Sequence, residues 1–307
     1  MSSDVALICG AAGFIGSHAA SVFRERGWRV MGAGRNEPGA VDSYPREIPY
    51  RKGDFEGSDF VTGLFDETLP ARVVFVAGPS DVQQSFIDPV QDFRNQSLPL
   101  VRILDAARRM KTPPGVILLS SAAVYGNPVA IPVREDSLQT PISPYGFHKL
   151  LQESLLDEFH NLYGLPTCKA RVFSTYGSGL RHLAVWDIAK RAMKGDAMLR
   201  GTGKETRDYL HVHDVGRALE LIARHCAFAG EVINVASGSE LAMSQVASLI
   251  HDAMGSGQQP VFDGKELAGS PLRWCADASK LRALGFSPEV SIDTGIRETV
   301  KWIKQHA

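Results

Sequence analysis

Tyr145 and Lys149 stand four residues apart in Tyr145-Gly-Phe-His-Lys149. At that spacing two side chains share one face of a helix. An ammonium beside a phenol favours the phenolate, so the phenol can exchange a proton with a substrate hydroxyl nearer neutral pH. Ser121, in Ser120-Ser121-Ala-Ala-Val-Tyr125-Gly126, closes an apolar run, and a hydroxyl at a strand end can hydrogen-bond the same oxygen. Ser120 competes for that role, but the spacing to Tyr125-Gly126 favours Ser121. A second pattern is Gly10-Ala-Ala-Gly13-Phe-Ile-Gly16. Glycines there let the chain turn tightly, bring backbone N–H groups up to a pyrophosphate and pack a helix close to a sheet. Taken singly, each pattern has a plain alternative: a tight turn, a surface Tyr/Lys pair, a strand-end serine.

The elements that must position these residues are legible in the hydrophobic periodicity. Val5–Cys9 is a continuous apolar run, as a strand buried on both faces requires. Helical spacing follows from Phe14 to Arg26, closed by Gly27, and Arg29–Ala33 reads as a second strand. Arg72–Ala77, Val116–Ser120 and Lys169–Phe173 read as further strands, with a helix predicted over Leu98–Met110. Ser143-Pro144 is an N-cap with a first-turn proline, and the helix it opens runs to Tyr163. Strands alternating with long helices predict an α/β fold, a Rossmann-type doubly wound parallel sheet. Beyond about residue 173 the rhythm loosens. Helices are predicted at Val185–Lys194, Val215–Arg224, Met243–Met254 and Thr294–Gln305, with Val232–Val235 returning as a strand to the main sheet. The expected division is residues 1–173 plus about 209–240 for the dinucleotide-binding part, and about 174–208 and 241–307 for a smaller substrate-binding region.

Gly10-x-x-Gly13-Phe-Ile-Gly16 resembles the opening of the extended short-chain dehydrogenase/reductase family, whose members mostly modify nucleotide sugars. The later signatures of that family recur in order. They are Val76-Ala77-Gly78, Asn95, the Ser121 segment, Tyr145-x-x-x-Lys149, Arg171-Val-Phe-Ser-Thr-Tyr-Gly177, Arg207-Asp208-Tyr209-Leu-His-Val-His-Asp214-Val, Asn234-Val-Ala-Ser-Gly238 and Ala276-Asp277-Ala-Ser-Lys280. The resemblance spans nearly the whole chain. It implies Tyr145 as acid/base, Lys149 as the group that tunes it and touches the ribose, and Ser121 as the group that orients the substrate. It further implies cofactor contacts from Gly10, Gly13, Phe14, Ile15, Gly16, Arg35, Asn36, Asp54, Phe55, Ala77, Gly78 and Asn95. Substrate contacts are implied for Ser80, Ser121, Ala122, Ser174, Arg207 and Arg273, the two arginines offering planar forks to a diphosphate.

Three departures refine that picture. NAD-binding members carry an Asp at the end of the second strand, where this chain has Gly34 followed by Arg35 and Asn36. A carboxylate would repel a 2′-phosphate and a guanidinium can pair with it, so NADP(H) is favoured over NAD(H). Dehydratases of the family place Asp-Glu after the active-site hydroxyl; Ala122 and Ala123 stand there and argue against 4,6-dehydration. The Asn of Phe-Asn-x-Tyr-Gly is Ser174. The expected activity is hydride transfer at C4 of a nucleotide-diphosphate sugar, in first place NADPH-dependent reduction of a 4-keto sugar. The alternatives are a 4-epimerase with tightly bound cofactor and, in another class, a non-catalytic dinucleotide sensor.

The remaining histidines read as lesser features. His182 lies in a loop where some keto-sugar enzymes of the family place an acid, but it equally suits a solvated loop. His148 precedes Lys149 and faces elsewhere on the helix. His211 and His213 are expected to alternate on one strand; two histidines without a third ligand make a weak metal signal, and none is expected. The charge of 33 Lys+Arg against 34 Asp+Glu excludes a general polyanion binder, so neither nucleic acid nor a membrane surface is an expected partner. Four scattered cysteines and the lack of a leader-like or spanning apolar run predict a cytoplasmic protein. Apolar stripes on the helices around Leu98–Met110 and Pro144–Tyr163 and the family resemblance predict a homodimer through a four-helix bundle.

Overall fold

The computed structural model describes residues 4–38, 44–265 and 271–307. In it, β1 (Val5–Cys9) enters the protein first. Alternate side chains of a strand point to opposite faces. Ala6 and Ile8 accordingly join one apolar core, while Leu7 and Cys9 join another on the far side of the sheet. The chain turns into α1 (Phe14–Glu25) and returns as β2 (Arg29–Gly34) and the short β3 (Tyr50–Lys52). Next come α2 (Ser58–Thr68), β4 (Arg72–Phe75), α3 (Val82–Ile87), α4 (Pro89–Arg109) and β5 (Gly115–Ser121). A 3-10 turn over Ala122–Tyr125 leads on towards α5 (Pro144–Tyr163) and β6 (Thr167–Val172). The central sheet is completed by β10 (Ala229–Val235), which the chain reaches after β7 (Ser174–Tyr176), α6 (Leu183–Met193), β8 (Met198–Leu199), β9 (Thr206–His211) and α7 (Val212–His225). Its order is β10-β6-β5-β4-β1-β2-β3, all parallel.

The doubly wound parallel sheet is therefore as the alternation predicts, and the order reverses between β1 and β4. Ligands of open α/β sheets bind at such a switch point, beyond the carboxyl ends of the strands. The C-terminal part adds β11 (Glu240–Ala242), α8 (Met243–Met254), β12 (Val261–Phe262), α9 (Ser279–Ala283) and α10 (Ile292–His306). A third core joins α6, α8 and α10 through Val185, Ile188, Val246, Ile250, Val300 and Ile303.

Two of the predicted elements differ from the sequence reading. The helix predicted from Leu98 begins at Pro89. Asp88 accepts the Gln91 amide at 2.9 Å and Pro89 fits the first turn, so capping starts the helix well before Pro99, which lies inside it. An interior proline usually ends a helix, which hid this stretch. Second, β9 stops at His211 and α7 begins at Val212, so His211 and His213 do not alternate on one strand. His211 is instead the N-cap of α7.

Candidate active site

The turn after β1 is built from backbone. A Cβ on Gly16 would lie 2.2 Å from the Gly10 carbonyl oxygen, and one on Gly10 would lie 2.7 Å from Ala77 N. Only glycine permits both approaches. Gly13 occupies the N-cap of α1 without a side-chain cap, and no acidic residue stands in the first turn. The first amides of α1, from Phe14, Ile15 and Gly16, thus lack a side-chain acceptor, which is the arrangement that accepts a pyrophosphate. Ala77 and Gly78 follow the neighbouring β4, so they flank the same edge.

Arg35 and Asn36 follow β2 and are exposed. Arg35 donates to Asn95 Oδ1 on α4 at 3.2 Å, linking the two sides of the groove. The Asn36 carbonyl accepts from Tyr50 at 2.7 Å. Asp54 is exposed and accepts the Glu56 amide at 3.0 Å. The Phe55 side chain packs into the core against Phe60 and Phe75, leaving its backbone for a ligand.

Ser121 ends β5, next to β4. Its hydroxyl accepts the Ala123 amide at 3.1 Å and lies close enough to the Tyr145 phenol to favour the phenolate. Tyr145 opens α5 after the Ser143 cap, and its amide donates to Ser85 on α3 at 3.1 Å. Lys149 lies one turn on, buried, and donates to the Leu119 carbonyl at 3.2 Å and Gln152 Oε1 at 3.0 Å. Burial pushes the Tyr145 phenol up to about 12 and the Lys149 ammonium down to about 8. Ala122 is fully buried in the 3-10 turn, so no carboxyl follows Ser121. Behind the site, Glu153 holds Arg171 at 2.7 Å and Ser120 at 2.5 Å, and Arg171 reaches the Tyr125 hydroxyl at 2.9 Å. Ser120 is thereby turned away from the role given to Ser121.

The other residues expected at substrate divide into two groups. Ser80, after β4, meets His182 Nε2 at 2.9 Å, so a Rossmann loop is joined to the start of α6. Burial lowers the His182 pKa, with Asp81 and Asp187 pulling the other way. Ser174 begins β7 and pairs with Tyr209. Arg207 lies with its guanidinium 5.4 Å from the centre of the Trp274 ring, and Thr206 of β9 forms an isolated bridge to Arg273, which brings the two arginine-bearing segments side by side. Arg273 is held by both oxygens of Glu240, at 2.7 and 2.8 Å. Sequence reasoning missed Asp92, Gln96 and Gln152. Only Gln152 had a signal, three residues from Lys149 on the same helix.

One thiol–carboxylate group lies away from this edge. Cys168, Cys226 and Glu231 place their ligand atoms within 4.8 Å of one another, near the amino end of β6. Both Glu231 oxygens accept backbone amides, from Ala227 at 3.1 Å and Ala229 at 2.7 Å, so the carboxylate closes the loop between α7 and β10.

A family model described as GDP-mannose 4,6 dehydratase matches residues 7–299. The chain belongs to the extended short-chain dehydrogenase/reductase family. Among curated members, UDP-glucose 4-epimerase of Mycolicibacterium smegmatis is 31% identical over 310 residues, covering 97% of this chain and 98% of that one. Among solved members, UDP-glucose 4-epimerase of Thermotoga maritima, with UDP-glucose, has a TM-score of 0.88 at 27% identity and covers 98% of this chain and 99% of its own. The Thermus thermophilus UDP-glucose 4-epimerase complex with NAD matches at TM-score 0.88 and 27% identity, covering 99% and 100%. A nicotinamide dinucleotide is thus the cofactor bound in the Thermus thermophilus neighbour, and the uncapped α1 beside Gly10 and Ala77 fits one. No helix among the described residues is long and apolar enough to cross a membrane.

Proposed function

We propose that this protein is a nucleotide-sugar 4-epimerase acting on a UDP-linked hexose with a nicotinamide dinucleotide. The observation that carries it is the placing of Ser121 beside the Tyr145 phenol, with the Lys149 ammonium one turn on and 5.8 Å from the centre of the Tyr145 ring, at the strand edge that also carries the uncapped α1. The full-length relatives named as UDP-glucose 4-epimerases support epimerisation over the net 4-keto reduction expected first from the sequence. Ala122 and Ala123 leave no acid for dehydration, despite the name of the matching family model.

In this reading a nicotinamide dinucleotide held at the Gly10–Gly16 turn would supply reversible hydride transfer at C4 of the sugar. The residues handle the proton. Ser121 holds the C4 oxygen, and the Tyr145 phenolate takes the hydroxyl proton and, as the phenol, gives it back, so no proton is consumed. Lys149 lowers the cost of the phenolate and holds the ribose. Arg207 and Arg273 meet the diphosphate, with Glu240 giving up Arg273 as it does so. The division into residues 1–173 with about 209–240, and about 174–208 with 241–307, is part of the same reading: the second part covers the sugar. A retained non-catalytic sensor would have no use for the complete Ser121, Tyr145 and Lys149 set.

Arg35 supports a finer reading of the cofactor. It is exposed at the end of β2 where no carboxylate stands, and its guanidinium can pair with a 2′-phosphate, so NADP(H) is accepted as well as NAD(H). The partner is a second copy of the chain. Phe86, Ile87, Val90, Phe93, Phe147 and Leu151 are all exposed along α3, α4 and α5, and α4 packs on α5, so two such pairs form a four-helix bundle.

The test is incubation of the purified protein with UDP-glucose and chromatography of the products. UDP-galactose should appear with no change in absorbance at 340 nm. Stoichiometric oxidation of NADPH by a 4-keto sugar nucleotide, with no interconversion of epimers, would replace this reading by the reductase.

A further inference from the structure

Lys149 serves Tyr145 only while it carries its charge, yet it is buried and both its hydrogen-bond partners are neutral. Two anions oppose the effect of burial on it, Asp92 first and Glu153 second. Glu153, on α5 itself, is already neutralised by Arg171 of β6. Asp92 comes from a different helix, α4, and is only 6% exposed. Its Oδ2 accepts from His148 Nδ1 at 2.5 Å and from Gln96 Nε2 at 3.0 Å. Gln152, which holds Lys149, donates to the Gln96 carbonyl at 2.6 Å. A continuous chain therefore runs from the half-buried His148 through the buried Asp92, Gln96 and Gln152 to the Lys149 ammonium. His148 is fixed from outside by the Phe93 ring, 5.7 Å away edge-on.

We propose that Asp92 is the counter-ion of Lys149, a positioning residue clamped by His148 and Gln96 that keeps the buried ammonium charged for the Tyr145 step. This rests on Tyr145 and Lys149 being the acid/base pair. The charged and titratable groups around Lys149 are Tyr145, His148 and Glu153 from α5, Asp92 from α4 and Arg171 from β6. Of these, Asp92 acts on both members of the pair with one sign: it raises the pKa of Lys149 and that of Tyr145. Removing its charge moves both downwards.

The test is Asp92→Asn, which keeps size and one acceptor, in the whole protein. Two profiles are measured from about pH 6 to about pH 10, bracketing the Lys149 value. One is kcat. The other is acetylation of Lys149 by acetic anhydride, read by peptide mass spectrometry, which needs no turnover. The midpoint of Lys149 labelling should fall by about half a pH unit or more, and the alkaline limb of kcat should follow. KM for the sugar nucleotide should stay within about twofold. Asp92→Glu should return both profiles towards the wild type. An unchanged labelling midpoint in the folded variant, or an equal loss of kcat at every pH without a shift, overturns the proposal and leaves Asp92 a packing role. Should Asp92→Asn unfold, Asp92→Ser carries the same measurement. If the wild-type protein turns over no sugar nucleotide, the epimerase reading falls, while the labelling midpoint still decides the role of Asp92.

Discussion

The Lys149 ammonium lies 5.8 Å from the centre of the Tyr145 ring, one turn further along α5. Burial works against the charged form of both groups, which holds the phenol protonated and the ammonium close to release. Ser121, at the end of β5, opposes that effect on Tyr145.

Tyr145→Phe removes the acid/base group and leaves the ring. We expect kcat to fall by about 10³-fold or more, while the dinucleotide dissociation constant stays within about twofold. Steady-state kinetics and fluorescence titration check both. Retention of near-normal turnover would remove Tyr145 from the mechanism.

Lys149→Met should trade activity for stability. The ammonium sits at about 8 in the folded protein against 10.5 as the ordinary value. Between those values the unfolded chain binds more protons, so wild-type stability rises with pH across that window. Below it the full cost of burying the charge is present, roughly 3 kcal/mol before the two lost hydrogen bonds are counted. The variant should therefore melt higher than the wild type at pH 7, and its advantage should shrink as pH approaches 10. A variant advantage that grows with pH would reverse the sign.

Acid should loosen the junction behind the glycine turn. His211 is buried with Nε2 unpartnered, and burial lowers its pKa to about 4, with His18 and His213 adding to the effect. His18, on α1, is also lowered. A histidine kept neutral when folded takes up protons on unfolding, so stability is lost as pH falls from the ordinary 6.5 towards 4. His211→Asn retains a helix-capping side chain, and its melting temperature should fall less than the wild type between pH 7 and pH 5. Equal falls would clear His211.

Arg35→Ser should discriminate between the dinucleotides. If the guanidinium pairs with a 2′-phosphate, NADPH binding weakens by about tenfold or more, and NADH binding changes by less than about twofold. Isothermal titration measures each. Equal weakening of both would assign Arg35 to adenine or to Asn95 alone.

Gly16→Ala and Gly63→Ala make a contrasting pair. The new methyl at position 16 would lie 2.2 Å from the Gly10 carbonyl oxygen, whereas nothing lies within 4 Å of one at position 63. The first should destabilise by about 3 kcal/mol or more and abolish dinucleotide binding. The second, inside α2, should stabilise by about 0.5–1 kcal/mol. Urea unfolding followed by circular dichroism separates them.

Much of the site could be read from the chain because it is local. The Gly10–Gly16 turn, the four-residue step from Tyr145 to Lys149 and the strand end at Ser121 are set by neighbours a few residues away. Continuous apolar runs likewise announced inner strands of the central sheet such as β1, since such a strand is buried on both faces. Short elements such as β3 and α3 escaped, because three to six residues carry too few turns of any period. The start of α4 escaped for a different reason, an interior proline that the Asp88 cap outweighs.

What the amino-acid sequence determined by itself was therefore the fold class, the glycine turn after β1 and the helical step from Tyr145 to Lys149 on which the proposed acid/base pair rests, all encoded in short-range spacing. The tertiary structure decided what surrounds them. Asp92 meets His148 across 56 residues, and Ser80 meets His182 across 102. Arg171 is matched to Glu153 only because β6 lies beneath α5. The field at a buried ammonium depends on which charges the packing of separate helices brings close, and no spacing along one chain segment records that distance.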